Sequence, residues 1–344
     1  MLRGTRNCGE PWPGAYLKLG DIQGQPFTVS LGDTDGALVS YRKAETLAVK
    51  GDPKDWELLS MLVRARRTIA QIDARAGRYA EAVALLQSAL EPARLLAQNA
   101  PVDFLVDGNP AAALPVEVNW TLGYVMIKQN ASSIETPLEN YERARTQLQL
   151  ALRMAEELQT VHPEIPSRVG KCSMYLGFAL EGLGDLTGDL KHFEQGAAAQ
   201  RRGMQSACGI AEKDANPQTR RNCADAFGEW SWALRNAKDG EQAMAAARES
   251  LARMQPVAAA EPNSAEVQED LATAYFHLGA AENVAGRFAD ALKSLRQAES
   301  VISPLEREHP NDPLETMKLL VLLRLEMGRS LTAAHQGAAA LALL

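Results

Sequence analysis

The chain has 344 residues, of which 46% are hydrophobic and 23% charged, enough for a large core in one elongated domain or in two or three compact ones. The net charge of −7 disfavours a general nucleic-acid role, because such proteins usually carry a basic balance or stripe. The apolar run at residues 319–325 is too short to span a bilayer, and no signal-peptide core opens the chain. We therefore expect a cytoplasmic protein that binds neither nucleic acid nor membrane.

Two copies of Leu-Gly-Asp mark the first predicted element. Residues 1–13 are predicted to be a disordered or truncated segment, and prolines there leave only about Gly14 to Leu19 for a first helix. The copies lie at residues 19–21 and 31–33, which are 12 residues apart. We expect Gly20 to end the first helix of a hairpin and Gly32 to stand just before the second, with an insertion between them.

The clearest repeat unit runs from Leu271 to Pro304. Its spacing of Leu-Gly, Gly, Ala, Leu and Ala resembles the tetratricopeptide repeat, a helical hairpin. Gly279 would allow the two helices to approach closely, and Gly286 would end the first helix with a positive φ. A small residue, a bulky one four positions later and a small one three further on recur along the chain: Ala37/Tyr41/Ala44, Ala82/Leu86/Ala89, Asp189/Phe193/Gly196 and Ala291/Leu295/Ala298, with looser copies at Pro137/Tyr141/Ala144 and Ala243/Ala247/Ser250.

These repeats predict an all-α fold, a tetratricopeptide-like α-solenoid of about six elongated helical hairpins plus a C-terminal helix. The repeat domain is expected over residues 14–334, its last helix around residues 314–327, and a tail over residues 335–344. Repeat anchors at residues 37, 82, 137, 189, 243 and 291 are 45 to 55 residues apart, longer than the minimal repeat, so the helices or turns must be longer. Residues 139–163 are predicted to form one continuous helix of about six turns. The prolines in residues 99–115 predict an extended loop.

Side chains that could carry chemistry form no convincing set. Cys8, Cys172, Cys208 and Cys223 lie far apart without a C-x-x-C pair, so we expect buried, reduced thiols. No two histidines have helical metal-ligand spacing, and the glycines of residues 182–188 lack the strand and the Lys-Ser/Thr of a phosphate loop and are interpreted as turn residues. We expect no catalytic residue, no metal ion and no cofactor.

Binding features are more plausible, because the first helices of stacked hairpins line an extended groove that can hold a peptide or protein segment. Counting back from each Leu-Gly-like pair predicts the residues that face this groove. They are Arg64, Arg67, Gln71, Trp120, Tyr124, Lys171, Met174, Phe178, Asn222, Asp225, Glu229, Trp232, Thr273, Phe276 and Asn283. For any single aromatic, packing between neighbouring repeats is the more common alternative. Arg64, Arg66, Arg67, Arg75 and Arg78 form a local basic face, which could bind an acidic peptide or be an ordinary solvated face.

The run LKLGDIQGQPFTVSLGDTDGALVSYRKA, residues 17–44, resembles a narrower group. It is similar to the repeat region that follows the kinase domain in serine/threonine protein kinases of the acidobacterial type. The resemblance implies a helical solenoid for protein contact or sensing, with a kinase domain as a candidate partner. The kinase signatures G-x-G-x-x-G, H-R-D and D-F-G are not in this sequence, so kinase activity is not carried over. We expect the chain to be a separated or truncated C-terminal portion of a kinase polypeptide.

Three functions stay open on the sequence. The preferred one is a non-catalytic scaffold that holds peptide or protein segments in its groove. The second is a regulatory module split from a serine/threonine kinase. The third is a helical-repeat enzyme or small-ligand sensor, which a compact pocket with converging titratable groups would favour.

Overall fold

The structure is a computed structural model that describes residues 12–26, 30–101, 103–130, 137–162, 167–214, 216–308 and 313–341. Over these residues the chain is all-α apart from one pair of two-residue strands. It divides into two compact units, Met1–Ile165 and Pro166–Leu344. The predicted segment 1–13 lies outside the described residues except for Trp12 and Pro13, the first residue of a helix.

Unit 1 contains three consecutive helical hairpins. Its helices are α1 Pro13–Gly24, α2 Thr34–Lys50, α3 Trp56–Arg75, α4 Tyr79–Asn99, α5 Leu114–Asn130 and α6 Pro137–Val161. The helix predicted at residues 139–163 is thus confirmed as α6, 25 residues long. Helices of this length explain why the repeat exceeds the minimal tetratricopeptide unit.

Unit 2 contains three more hairpins and a terminal pair of helices. Its helices are α7 Ser167–Thr187, α8 Leu190–Lys213, α9 Pro217–Asn236, α10 Gly240–Ala260, α11 Ala265–Val284, α12 Phe288–Glu308, α13 Pro313–Ala333 and α14 Gly337–Leu341. The predicted C-terminal helix is therefore longer than expected, and a short helix follows it within the predicted tail. None of the helices described in either unit is both long and apolar enough to cross a membrane.

In these hairpins a small residue of one helix packs against a bulky residue of the other, as the repeat pattern predicts. A Cβ added at Gly279 would lie 2.6 Å from Leu295 Cγ, and Gly286 after α11 has φ +75°. The triplets Ala37/Tyr41/Ala44, Ala82/Leu86/Ala89 and Ala291/Leu295/Ala298 are fully buried. These alanines let two helix backbones approach while the bulky side chain fills the space between them.

Two triplets have a different register from the predicted one. In α6 the buried triplet is Ala144/Leu148/Ala151, and Leu148 Cγ lies 2.5 Å from a Cβ built at Gly123 of α5. In α8 the side chain facing Gly177 is Gln200, two turns beyond Phe193. Both triplets lie seven residues later than expected, because a heptad shift preserves the helical face that the pattern detects.

Three glycines assigned to turns, Gly20, Gly182 and Gly184, lie inside helices. Helix α1 runs through Gly20 to Gly24, so the prediction that it stops at Gly20 is wrong. A Cβ at Gly20 would lie 2.8 Å from the Tyr41 ring, which shows that glycine is needed for close packing. Gly184 of α7 likewise packs against Phe193 of α8. In the turn between these two helices, the residue with positive φ is Gly188, at +70°. Gly32 precedes α2 with φ +77°, as predicted.

The loop predicted at residues 99–115 is mostly irregular but contains a small hairpin. Strands β1 Leu105–Val106 and β2 Asn109–Pro110 pair antiparallel around Asp107-Gly108, and a 3₁₀ turn, Ala111–Ala113, leads into α5. Both turn residues have positive φ, 51° and 76°, the geometry that the Asp-Gly dipeptide favours. Asp107-Gly108 is the sequence signal for this hairpin, which the extended-loop prediction does not contain.

The prediction of reduced thiols is wrong for two of the four cysteines. Cys208, near the end of α8, and Cys223, in the first turns of α9, form a disulfide across a separation of 15 residues. The short connection between α8 and α9 brings their Cα atoms to 4.6 Å, a distance that a disulfide requires. Cys172 is buried and is not part of a disulfide, as expected, and Cys8 lies outside the described residues.

Candidate functional site

In unit 1, the predicted groove residues lie on α3 and α5 and are already engaged within the chain. Arg64 Nη2 lies 2.5 Å from Asp21 of α1, and its Nη1 lies 2.9 Å from Asp107 of the small hairpin. Arg67 Nη1 lies 2.9 Å from Glu117 of α5, whose same oxygen accepts a hydrogen bond from Trp120 Nε1 at 2.8 Å. These side chains link the helices of unit 1 to one another.

Four of the five arginines of the predicted basic face pair with acids of the same chain. Arg66 pairs with Glu45 at 2.9 Å, and Arg78 pairs with Asp73 at 2.6 Å. Glu45 lies on α2 and Asp73 on α3 itself, while Arg78 stands just before α4. Arg75 and Arg78 are exposed, as on a solvated face, whereas Arg64, Arg66 and Arg67 are half-buried. The paired arginines do not form a free phosphate-binding patch.

The remaining predicted groove residues of unit 1 are Gln71 and Tyr124. Gln71 is half-buried on α3. Tyr124 lies on α5, its ring centroid 6.4 Å from that of Trp120, and burial raises the pKa of its phenol. Lys128 Nζ lies 5.9 Å from the Tyr124 ring centroid, a distance at which a cation–π attraction is still felt.

In unit 2, most of the predicted residues come together along two adjoining pockets that share Glu229. We call them together the Glu229 groove. The first pocket, about 470 Å³, lies between α7, α8 and α9. Its walls include Lys171, Met174, Phe178, Gln200, Met204, Ile210, Asn222, Asp225 and Glu229. Apolar walls with a few polar groups are typical of a ligand site.

The second pocket, about 330 Å³, continues along α9, α11 and α13. Trp232, Thr273 and Phe276 line it together with Lys318 and Leu322. Phe276 is only 2% exposed, and its ring centroid lies 5.6 Å from that of Trp232. Much of this aromatic surface is therefore packing between repeats, the alternative that the sequence left open.

Asn283 lies outside both pockets and ties α11 to α13. Its Nδ2 donates to the Glu326 carbonyl and to Glu326 Oε2, both at 3.0 Å, and its Oδ1 accepts from Ser330 Oγ at 2.6 Å. Arg235 also contacts Glu326, at 2.9 Å, and its guanidinium lies 3.5 Å above the Trp232 ring. This polar network fixes the helices that form the second pocket.

Two carboxylates in the first pocket lack a counter-ion. Asp225 and Glu229 lie one turn apart on α9, and among the described residues neither forms a hydrogen bond or an ion pair. Arg221, one turn earlier, pairs with Glu266 at 2.8 Å and, more closely, with Asp270. Its guanidinium is therefore already shared by two acids and forms no ion pair with Asp225 or Glu229.

The surroundings of these acids favour their neutral forms. Removal from water is the main cause that raises the pKa of Asp225 to about 8, and Asp270 adds repulsion. Desolvation also raises the pKa of Glu229 to about 7. By surface area Asp225 is exposed and Glu229 is half-buried, so the direction of each pKa shift reflects the protein atoms crowded around the carboxyl group and not full enclosure. Neighbouring Glu181, on α7, is 6% exposed, and burial together with Glu229 raises its pKa to about 8.

A wider cleft between α8, α9 and α10 was missed by the sequence reasoning. It measures about 600 Å³ and includes Arg201, Arg202 and Trp230, with the Arg201 guanidinium 5.8 Å from the Trp230 ring. The adjacent arginines and the tryptophan were the available signal. We favour the Glu229 groove as the site, because it combines apolar walls with carboxylates that have no partner. Within the described part of the chain, no three His, Cys, Asp or Glu side chains are grouped as metal ligands.

Comparison with known proteins shows the fold. No protein-family model matches the chain, and no curated protein matches its sequence. Among solved structures, BtubC (BKLC) from P. vanneervenii is similar with a TM-score of 0.56 at 16% identity, covering 80% of this chain and 92% of that one. The apo form of RapI gives a TM-score of 0.52 at 13% identity, covering 94% and 98%. At such identities the likeness concerns architecture alone, and the predicted all-α, tetratricopeptide-like solenoid is confirmed.

Proposed function

We propose that the chain is a non-catalytic scaffold that binds a peptide or protein segment in the Glu229 groove. The observation that carries this proposal is the run of adjoining pockets along α7, α9, α11 and α13, with apolar walls and unpaired carboxylates at its centre. A groove that follows successive first helices suits an extended ligand, the use that helical-repeat proteins make of such surfaces. Phe178 and Met174 would supply the apolar contact and the α9 acids the polar contact.

The chemistry of the groove also supports a binding role over catalysis. His277, which lines the second pocket, is buried, and burial lowers its pKa to about 4. A histidine held neutral in this way is a poor proton carrier near neutral pH. A small-ligand sensor is the second candidate, because the first pocket is compact and contains titratable groups.

Two further expectations belong to this proposal. The resemblance of residues 17–44 supports a kinase domain as one candidate partner, in the same or a separate polypeptide. The second expectation concerns the cellular compartment. The Cys208–Cys223 disulfide supports an oxidising environment over the cytoplasm expected from the sequence, because cytosolic thiols are kept reduced.

The test is a selection of random dodecapeptides displayed on phage against the immobilised chain. Peptides that enrich are synthesised, and their affinities are measured by fluorescence anisotropy for the wild type, Phe178→Ala and Leu190→Ala. Phe178 lines the groove, whereas Leu190 is 44% exposed at the start of α8, away from the groove. We expect Phe178→Ala to weaken binding about tenfold or more, as for a central aromatic contact, and Leu190→Ala to leave it unchanged.

Two results would count against the scaffold. One is a selection in which no peptide enriches, and the other is a set of peptides that bind Phe178→Ala as tightly as the wild type. If no peptide enriches but small molecules raise the Tm of the wild type and not of Phe178→Ala, the sensor replaces the scaffold. Circular dichroism of both variants checks that the helices are intact.

A further inference from the structure

We propose that the Glu229 groove recognises a basic side chain, an Arg or Lys flanked by apolar residues, which is held by Asp225 and Glu229. This inference rests on the proposed peptide-binding function and specifies its ligand. It follows from the charge, the position and the surroundings of the two carboxylates.

The charge around the two acids is unbalanced. Of the four charged groups that act most strongly on Asp225, three are acidic: Asp270, Glu229 and Glu266. The fourth, Arg221, is engaged by Asp270 and Glu266. Around Asp225 there is thus one cation for four carboxylates, and Lys171 on the α7 wall of the pocket forms no ion pair with Asp225 or Glu229, so a cationic ligand group would improve the local charge balance.

The position of the carboxylates suits a single basic side chain. Residues four apart on a helix lie on the same face, so Asp225 and Glu229 present adjacent carboxyl groups to the same pocket. Such a pair can accept several hydrogen bonds from one guanidinium, whose donors are fixed in a plane, or a salt bridge from one ammonium. Asn222 lies one turn before this pair on the same wall and adds a side-chain amide.

The rest of the pocket favours a basic residue within an apolar sequence. Met174 and Phe178 on α7, with Met204 and Ile210 on α8, line the volume next to the acids. The methylene stem of Arg or Lys and its apolar neighbours would bury against these walls. An acidic peptide would place like charges together in a partly desolvated site, which is strongly unfavourable.

The titration of the groove agrees with this assignment. The pKa of Asp225 is raised to about 8 and that of Glu229 to about 7, so near neutral pH Asp225 is mostly protonated and Glu229 partly so. A bound cation would favour the charged forms and release those protons. Other charged groups along the groove are Lys171 on α7, Glu269 on α11 and Lys318 on α13, and Glu181 lies behind Glu229. Binding should therefore strengthen as pH rises from about 6 to about 9.

The experiment uses peptides from the phage selection described above. The tightest peptide is compared with a copy in which citrulline replaces Arg, or norleucine replaces Lys. Both are titrated by calorimetry against the wild-type chain, Asp225→Asn/Glu229→Gln and the control Glu249→Gln/Glu261→Gln. The control also removes two carboxylates, but at exposed positions on α10 and just after it.

We expect the wild type and the control to bind the basic peptide about tenfold or more tightly than its neutral copy. For Asp225→Asn/Glu229→Gln that preference should fall to about threefold or less, which would show that the two acids recognise the positive charge of the peptide. The inference is overturned if the preference survives in this variant, or if the selected peptides contain no Arg or Lys. In the second case, peptides that still depend on Phe178 would leave the proposed function standing, whereas loss of both would refute the two together.

Discussion

Gly20 of α1 lies so close to Tyr41 of α2 that an added Cβ would stand 2.8 Å from the ring. The tyrosine is fully buried, and its hydroxyl donates a hydrogen bond to Asp21 at 2.8 Å. Asp21 in turn binds Arg64 of α3. The first Leu-Gly-Asp copy therefore serves packing through its glycine and links three helices through its aspartate, and it is not a helix end.

We predict that Gly20→Ala destabilises the chain. Alanine is the better helix former, but its methyl group must displace a buried aromatic ring, and such overpacking costs about 1–3 kcal/mol. The control is Gly328→Ala in α13, where an added Cβ meets nothing within 4 Å and alanine should stabilise by about 0.5–1 kcal/mol. Urea denaturation followed by circular dichroism measures both. Equal stabilisation by the two substitutions would show that Tyr41 tolerates the methyl group.

The repeat pattern predicted the fold well because it depends on local spacing. Alanine and leucine at fixed steps specify which helix face is buried, and that is enough to predict hairpins. The register in α6 could not be fixed, because Pro137/Tyr141/Ala144 and Ala144/Leu148/Ala151 lie on the same face and fit the same pattern. A period of seven residues repeats the face of a helix, so sequence spacing cannot choose between them.

The sequence predicted the lining of the candidate site in unit 2 better than the partners of the charged residues in unit 1, for a physical reason. In unit 2, counting helical steps identified residues on α7 and α9 that do line one pocket, although their binding role stays a prediction. In unit 1, Arg64 and Arg67 are neutralised by Asp107 and Glu117, which lie 43 and 50 residues further along the chain. Such partners are set by tertiary packing, and charge counting along one helix does not reveal them.

We predict that Arg67→Glu reduces stability more than it changes the binding of any partner. The new carboxylate would face Glu117 at a site where the arginine side chain is 23% exposed, and like charges there should cost about 1–3 kcal/mol. The matched control is Arg143→Glu at an exposed position of α6. Thermal unfolding by calorimetry compares the two. A similar Tm for both variants would mean that the Arg67–Glu117 pair contributes little.

We predict that Glu181→Gln stabilises the chain at alkaline pH. In the folded protein the pKa of Glu181 is raised to about 8, whereas the unfolded carboxyl loses its proton near about pH 4.3. Unfolding therefore releases a proton between these values, and stability falls as pH rises through that range. Glutamine removes this dependence and can still accept from Asn236, which lies 3.2 Å from the carboxylate.

The measurement is the free energy of unfolding in urea from about pH 4 to about pH 9, for the wild type, Glu181→Gln and the exposed control Glu249→Gln. Glu181→Gln should match the wild type at the acid end and exceed it by about 1–3 kcal/mol at the alkaline end. The control should run parallel to the wild type. A constant difference at all pH values would show that the Glu181 carboxyl is charged in the folded state.

The disulfide between Cys208 and Cys223 gives the last prediction. Trypsin digestion without reductant should release residues 203–213 linked to residues 222–235, and mass spectrometry should find the two peptides separately after reduction. The bond closes a loop of 15 residues, so its loss should cost about 3 kcal/mol. Ala207 and Asn222, which line the first pocket, adjoin the two cysteines, and binding in the groove should therefore weaken together with stability.

Reductant and mutation should have the same effect. The double variant Cys208→Ser/Cys223→Ser should unfold at the urea concentration of the reduced wild type, and reductant should not change it further. The buried thiol of Cys172 is outside the disulfide and present in every sample, so it serves as an internal reference for thiol labelling under denaturing conditions. An oxidised wild type no more stable than its reduced form would mean that the chain is folded equally well with both thiols free. That result would remove the argument for an oxidising compartment, and the cytoplasm would again be the expected location.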